Sequence, residues 1–166
     1  MRRKSFETMT CPIGRSLERV GEWWSILILR DAFLGATRFE QFQKSLDIAP
    51  NMLAKRLNAL VEAGLFERRQ YSERPPRDEY LLTERGRDFR GVLWALLAWG
   101  NKHFAPEGAS VVLIDGETGA LADPVLIDRI SGKPMTGPPF RSAPGPAADA
   151  RARARHQPAL SGDSHV

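Results

Sequence analysis

The sequence predicts an α+β domain that is mainly helical and carries one small β-hairpin, and three observations predict it. Between residues 11 and 64, apolar residues recur at helical spacing in four successive stretches. The next stretch, LFERRQYSERPPRDEYLL, changes to an extended pattern interrupted by Pro75 and Pro76. From Glu84 to about Phe104 the helical spacing returns. A chain of 166 residues holds one such domain plus smaller additions.

Residues 1–10 form a short N-terminal arm with three basic residues and no apolar run after them, so a secretory signal is not expected. Residues 11–22 predict the first helix, with Cys11 as cap and Pro12 as first helical residue, where a missing N–H costs nothing. Ile13, Leu17 and Val20 form its apolar stripe, and Gly21 ends it. Trp23 to Leu34 predicts a second helix, apolar on most sides and therefore central, with Gly35 as its stop. Arg38 to Leu46 predicts a third, with Phe39, Phe42 and Leu46 on one side. Asp47 to Pro50 is short enough only for a tight turn.

The fourth helix, Pro50 to Gly64, organises the rest. At about 100° per residue, Leu53, Leu57, Leu60 and Gly64 share one face, and Asn51, Lys55, Asn58 and Glu62 share the opposite one. The outward strip combines a cation with two amides, groups that donate to phosphates and read purine edges in a major groove. A solvated face is the plain alternative. Two short helices joined by a tight turn, the second with a polar outer face, are the arrangement of a helix-turn-helix, and short helical hairpins also serve purely structural roles. The hairpin that follows is then a wing, with Arg74 and Arg77 flanking the prolines at its tip, suited to backbone or minor-groove contact. Arginines at a hairpin tip also serve solubility alone.

Thr83 caps the last long helix, with Glu84 favourable against its dipole. Val92, Leu93, Trp94, Leu96, Leu97 and Trp99 give it more apolar surface than a small core consumes, which predicts a dimer interface or, as the alternative, cover by the segment after residue 105. Beyond it, LIDGETGALADP and LIDRISGKPMTGP form a near-repeat thirteen residues apart. Each spells strand, turn, strand, so 105–138 predicts a small β-appendage. From 139 to 166, Pro, Ala, Gly and Arg predict a disordered tail, whose RARARH run adds loose phosphate attraction or is merely solvated.

The net charge of +4 is uneven: +5 over residues 1–104, −3 over 105–140 and +2 over 141–166. The basic part is the helical part, which favours a polyanionic partner over its alternative, a solvated basic surface without one. One cysteine excludes an internal disulfide framework and fits a reducing cytosol, and no stretch reaches the length of a membrane helix. The expected location is the cytoplasm, in association with the nucleoid.

Five motifs together resemble the HxlR-type family of MarR-like winged-helix transcriptional regulators. They are the early Cys11-Pro12, the W-x-x-x-I-L-R-D of Trp24 to Asp31, the R-F-x-x-F of Arg38 to Phe42, the L-x-x-R-L-x-x-L-x-x-x-G-L of Leu53 to Leu65, and the P-P-R-x-E-Y of Pro75 to Tyr80. The resemblance covers roughly residues 11–104. It implies a winged helix-turn-helix that dimerises through the first and the long last helix, with recognition helices in successive major grooves and wings beside them. The chain departs from many relatives in having Ala49, not Ser, before the recognition helix, which removes a side-chain cap worth about 1 kcal/mol. Asn51 or Asp47 is placed to compensate. The turns of 109–138 also lack the cysteines of some relatives, so no thiolate zinc site is expected.

On this reading the partner is double-stranded DNA, bound by a homodimer at a palindromic site, most simply as a repressor. Asn51 and Asn58 are the candidate base readers; Lys55, Arg56, Arg74, Arg77 and Arg38 are candidates for phosphate and groove contacts. Arg56 lies nearer the buried side, where an ion pair orienting the helix competes with a DNA contact. Cys11, at a helix start with Arg15 one turn on, is a candidate sensor of oxidants or electrophiles. Its alternative is a small residue filling space at a dimer contact. No catalytic set, cofactor or metal is expected: His103 stands alone, His156 and His165 lie in the tail, and there is neither a Walker loop nor a dinucleotide fingerprint. A small-ligand effector is compatible with the pattern, and a winged-helix protein-interaction module is the alternative function.

Overall fold

Pro12 opens the first helix, α1 (Pro12–Val20), and Gly21 follows its end, as the spacing predicts. The computed structural model describes residues 10–156, which form two units, 19–124 and the pair of segments 10–18 with 125–156. The arm residues 1–9 and the last part of the tail, 157–166, lie outside the described residues.

In the unit 19–124, α2 (Trp23–Phe33) is central as expected: Ile28 and Leu29 are fully buried, and the helix packs against α3 (Phe39–Leu46), α4 (Pro50–Glu62) and α6 (Arg90–Phe104). Asp47, in the left-handed region at φ 48°, turns the chain from α3 into α4. Gln41 Oε1 accepts from the N–H groups of Thr37 and Arg38, both at 2.9 Å, and so closes the start of α3. The core joins Phe42, Leu53, Leu57, Leu60, Leu65 and Phe66, with Phe42 and Phe66 edge to face at 6.3 Å. These burials are the main stabilising contribution, about 1.5–3 kcal/mol for each large side chain before entropy is counted.

The hairpin pairs β1 (Phe66–Glu73) with β2 (Pro76–Leu82) in antiparallel register, Phe66 opposite Leu82 and Arg68 opposite Tyr80. Pairing continues to Glu73 opposite Pro76, so the tip is tighter than the expected break from Glu73 to Arg77. The sequence did not disclose a third strand contact: the Tyr80 N–H donates to Thr37 O at 2.7 Å, and Arg38 bridges Glu79. One pair of residues lacks the alternation by which a strand is recognised. Gly64, at φ 70°, carries the chain out of α4 in a conformation that a side chain would strain.

The single helix expected from Glu84 to Phe104 is divided into α5 (Glu84–Asp88) and α6. Phe89 has ψ −11° and accepts from Val92 N–H as well as Leu93 N–H, a tightened turn that lets its ring pack on the core. Gly86 meets the chain entering the hairpin: a Cβ there would lie 2.1 Å from Leu65 O.

The expected β-appendage is reduced to two turns with one bridge each, Ile114 to Leu121 and Ile127 to Pro134. The first lies in the unit 19–124 and the second in the other unit. Asp115 accepts from the N–H groups of Glu117 and Thr118, and Asp128 from those of Ile130 and Ser131. These bonds hold the Asp115 carboxyl below its usual range; for Asp128 the Ser131 hydroxyl is the leading cause. The turn chemistry is satisfied locally, but flanks with exposed Ile114, Leu121 and Ile127 have no face to bury, so the strands do not extend.

The expectation of disorder from residue 139 is corrected at 150–155, which form α7 (Ala150–Arg155). Asp149 caps it, accepting from Ala152 N–H at 2.7 Å, and Thr10 Oγ1 donates to the same carboxylate at 2.8 Å. Alternating Ala and Arg are both good helix formers, so a cap suffices to order one and a half turns.

Candidate nucleic-acid interface

Helix α4 turns Leu53, Leu57 and Leu60 fully inward and leaves Asn51, Lys55 and Asn58 exposed. The two amides and the cation thus line one outer edge. Ala49 precedes the helix with no side-chain cap, and neither Asn51 nor Asp47 supplies one at that position.

Arg56 is turned away from this edge. Its side chain is 16% exposed and Nη2 lies 3.2 Å from Glu22 Oε2, while Nε is buried without a partner. The ion pair ties α4 to the residue that precedes α2. Of the two roles expected of Arg56, a groove contact or an ion pair that orients the helix, the ion pair is the one present among the described residues.

Arg74 and Arg77 are exposed at and beside the hairpin tip. Among the described residues no carboxylate pairs with Lys55, Arg74 or Arg77. Unpaired cations keep their full attraction for phosphates. Arg38 is also exposed, but its guanidinium lies over the Tyr71 ring at 4.4 Å, which draws it against β1.

Two arginines were missed by sequence reasoning. Arg69 is bound by Glu79, with Nη2 2.7 Å from Oε1. Arg68 donates through Nη2 to Asn58 Oδ1, lies 5.5 Å from the Tyr80 ring centre, and has Nε 3.8 Å from Asp78 Oδ2. The signal for Arg68 was present. Strand alternation from buried Phe66 places residue 68 on the same side, the side that faces α4.

In the other unit, Cys11 stands just before α1 and is partly buried. The Gly14 N–H lowers its thiol below the usual value; burial, the next largest effect, opposes this, and the Ile13 N–H and the side chain of Arg155 on α7 add to the lowering. The helix start lowers the thiol as expected, and the cation that acts on it is Arg155, which the sequence did not reveal.

A helix-turn-helix whose second helix presents amides and a cation beside a cationic hairpin defines a winged-helix DNA-binding transcriptional regulator. Residues 19–108 match the HxlR-like helix-turn-helix model, and the chain belongs to that family. It is 44% identical over 140 residues to the HTH-type transcriptional regulator Rv3095 of Mycobacterium tuberculosis, covering 84% of this chain and 89% of that one. It is similar in structure to PA1374 of Pseudomonas aeruginosa, a proposed transcription factor, with 53% identity, TM-score 0.63, and coverage of 87% and 99%. The redox regulator HypR in its reduced form is similar over 55% of this chain and 92% of its own, at 29% identity and TM-score 0.52. No helix of the described residues is long and apolar enough to cross a membrane.

Proposed function

We propose that this regulator binds a palindromic operator as a homodimer and represses transcription there. Each α4 enters a major groove through Asn51, Lys55 and Asn58, and each hairpin sets Arg74 and Arg77 on the flanking backbone or minor groove. The observation that carries this is the exposed amide-and-cation edge of α4 beside a hairpin tip with unpaired arginines.

Dimerisation is supported by apolar surface. Helix α6 leaves Val92, Trp94, Leu96 and Trp99 exposed, and α1 separately leaves Ile13 and Leu17 exposed. Selection of bound fragments from genomic DNA, followed by gel-shift titration, tests the reading. A palindrome should emerge, Lys55→Ala and Arg77→Ala should each weaken binding about three- to tenfold, and log affinity should fall steeply with log salt. Affinity that ignores salt would defeat the proposal.

Cys11 is the proposed point of redox control, supported by its lowered thiol pKa and by the similarity to HypR. Its thiolate attacks a small disulfide, forms a mixed disulfide and releases the small thiolate. With one cysteine per chain, the other routes are a bridge between two subunits, formed when the thiolate of a second copy displaces the small thiol from that mixed disulfide, and direct alkylation by an electrophile.

A further inference from the structure

Resting on the DNA-reading role proposed above, we infer that Arg68 sets the base preference of Asn58. A free asparagine reads adenine with both ends of its amide: Oδ1 accepts from N6 and Nδ2 donates to N7. In this chain Arg68 Nη2 already donates to Asn58 Oδ1. A guanidinium has only donors, so it must face the oxygen and not the nitrogen, and the orientation of the amide is dictated by its partner.

Arg68 is itself held by neighbours on its own sheet. It sits opposite Tyr80 in the ladder with its guanidinium toward that ring, and Asp78 Oδ2 is 3.8 Å from its Nε. The side chain is nonetheless 42% exposed, so part of its donor fork remains at the surface. The positive charge at Oδ1 repels the N6 donor of adenine from the oxygen it would need. What remains is a donor set, Asn58 Nδ2 with the outer N–H groups of Arg68. Guanine answers it, since N7 and O6 are both acceptors. The hairpin thereby acts on the recognition helix as well as on the flanking groove. Arg68 is a positioning residue that turns an amide with two-way chemistry into a reader of acceptors.

The test is selection from a library of duplexes randomised across a full operator length, carried out with wild-type protein and with Asn58→Ala, Arg68→Ala and Arg68→Lys. The base pair whose preference collapses in Asn58→Ala is the one Asn58 reads. Wild type should prefer guanine over adenine there by about tenfold. Arg68→Ala should move that preference toward adenine while the other positions keep theirs, and Arg68→Lys, which retains a donor, should restore guanine. A purely structural role for Arg68 would weaken all sequences alike and leave the preferences unchanged, which would overturn the inference. Adenine at the Asn58 position in wild type would also overturn it, even if Arg68→Ala failed to fold. Failure of wild type to enrich any sequence is a different result, and would overturn the DNA-reading role itself.

Discussion

Cys11 shows how much one residue's chemistry depends on its surroundings. The Gly14 N–H and the Arg155 side chain both favour the thiolate, so its titration midpoint lies below the usual 9.0. A lowered midpoint means more thiolate at neutral pH. Alkylation by iodoacetamide should therefore be faster at pH 7 than for a free thiol, and should reach its plateau at a lower pH. Arg155→Ala should shift the midpoint upward but leave it below 9.0, because the leading cause, the Gly14 N–H, is backbone. Stopped-time alkylation across pH measures both. Arg56 makes the complementary point: a cation in a recognition-helix motif is spent on Glu22, within the protein.

At the scale of elements, Thr83 joins the hairpin to α5. Its hydroxyl accepts from Gly86 N–H at 3.1 Å and donates to Gly64 O at 2.7 Å, so it caps a helix and holds the exit of α4. Thr83→Ala should cost about 1–2 kcal/mol, several degrees of Tm for a domain near 100 residues, in thermal or urea unfolding. The helices were legible in the sequence because Leu53, Leu57, Leu60 and their counterparts repeat at 3.6 residues, and Pro12, Gly35 and Thr83 punctuate them. The division at Phe89 was not legible, because helical periodicity runs unbroken through a single tightened turn. The strand contact of Thr37 and Arg38 was too short to show a period. Of the candidate site, the outer residues of α4 were legible from the wheel. The Arg68 to Asn58 contact spans ten residues and depends on the hairpin's register against α4, which periodicity within either element does not contain. Helix α7 was hidden for a related reason: its cap is tied to Thr10, 139 residues away in the chain.

For the whole molecule, the proposed dimer makes the clearest demand. Trp99 of α6 is 56% exposed, with its ring 4.9 Å from that of Phe104. If α6 meets a second copy, Trp99→Glu places a charge in that contact. Sedimentation should then show a monomer with an unchanged far-ultraviolet circular dichroism spectrum, and affinity for a palindromic duplex should fall more than affinity for a half-site. An unaltered dimer would move the contact elsewhere. Where the hairpin leaves the core and α5 begins, the contact between Gly86 and Leu65 O has no side chain in it. The base of the wing is thus set where main chain meets main chain, and any residue other than glycine at position 86 would push Leu65 O aside. Exchange of the exposed residues along the hairpin alters what it touches, whereas a side chain at position 86 would displace the base from which it projects.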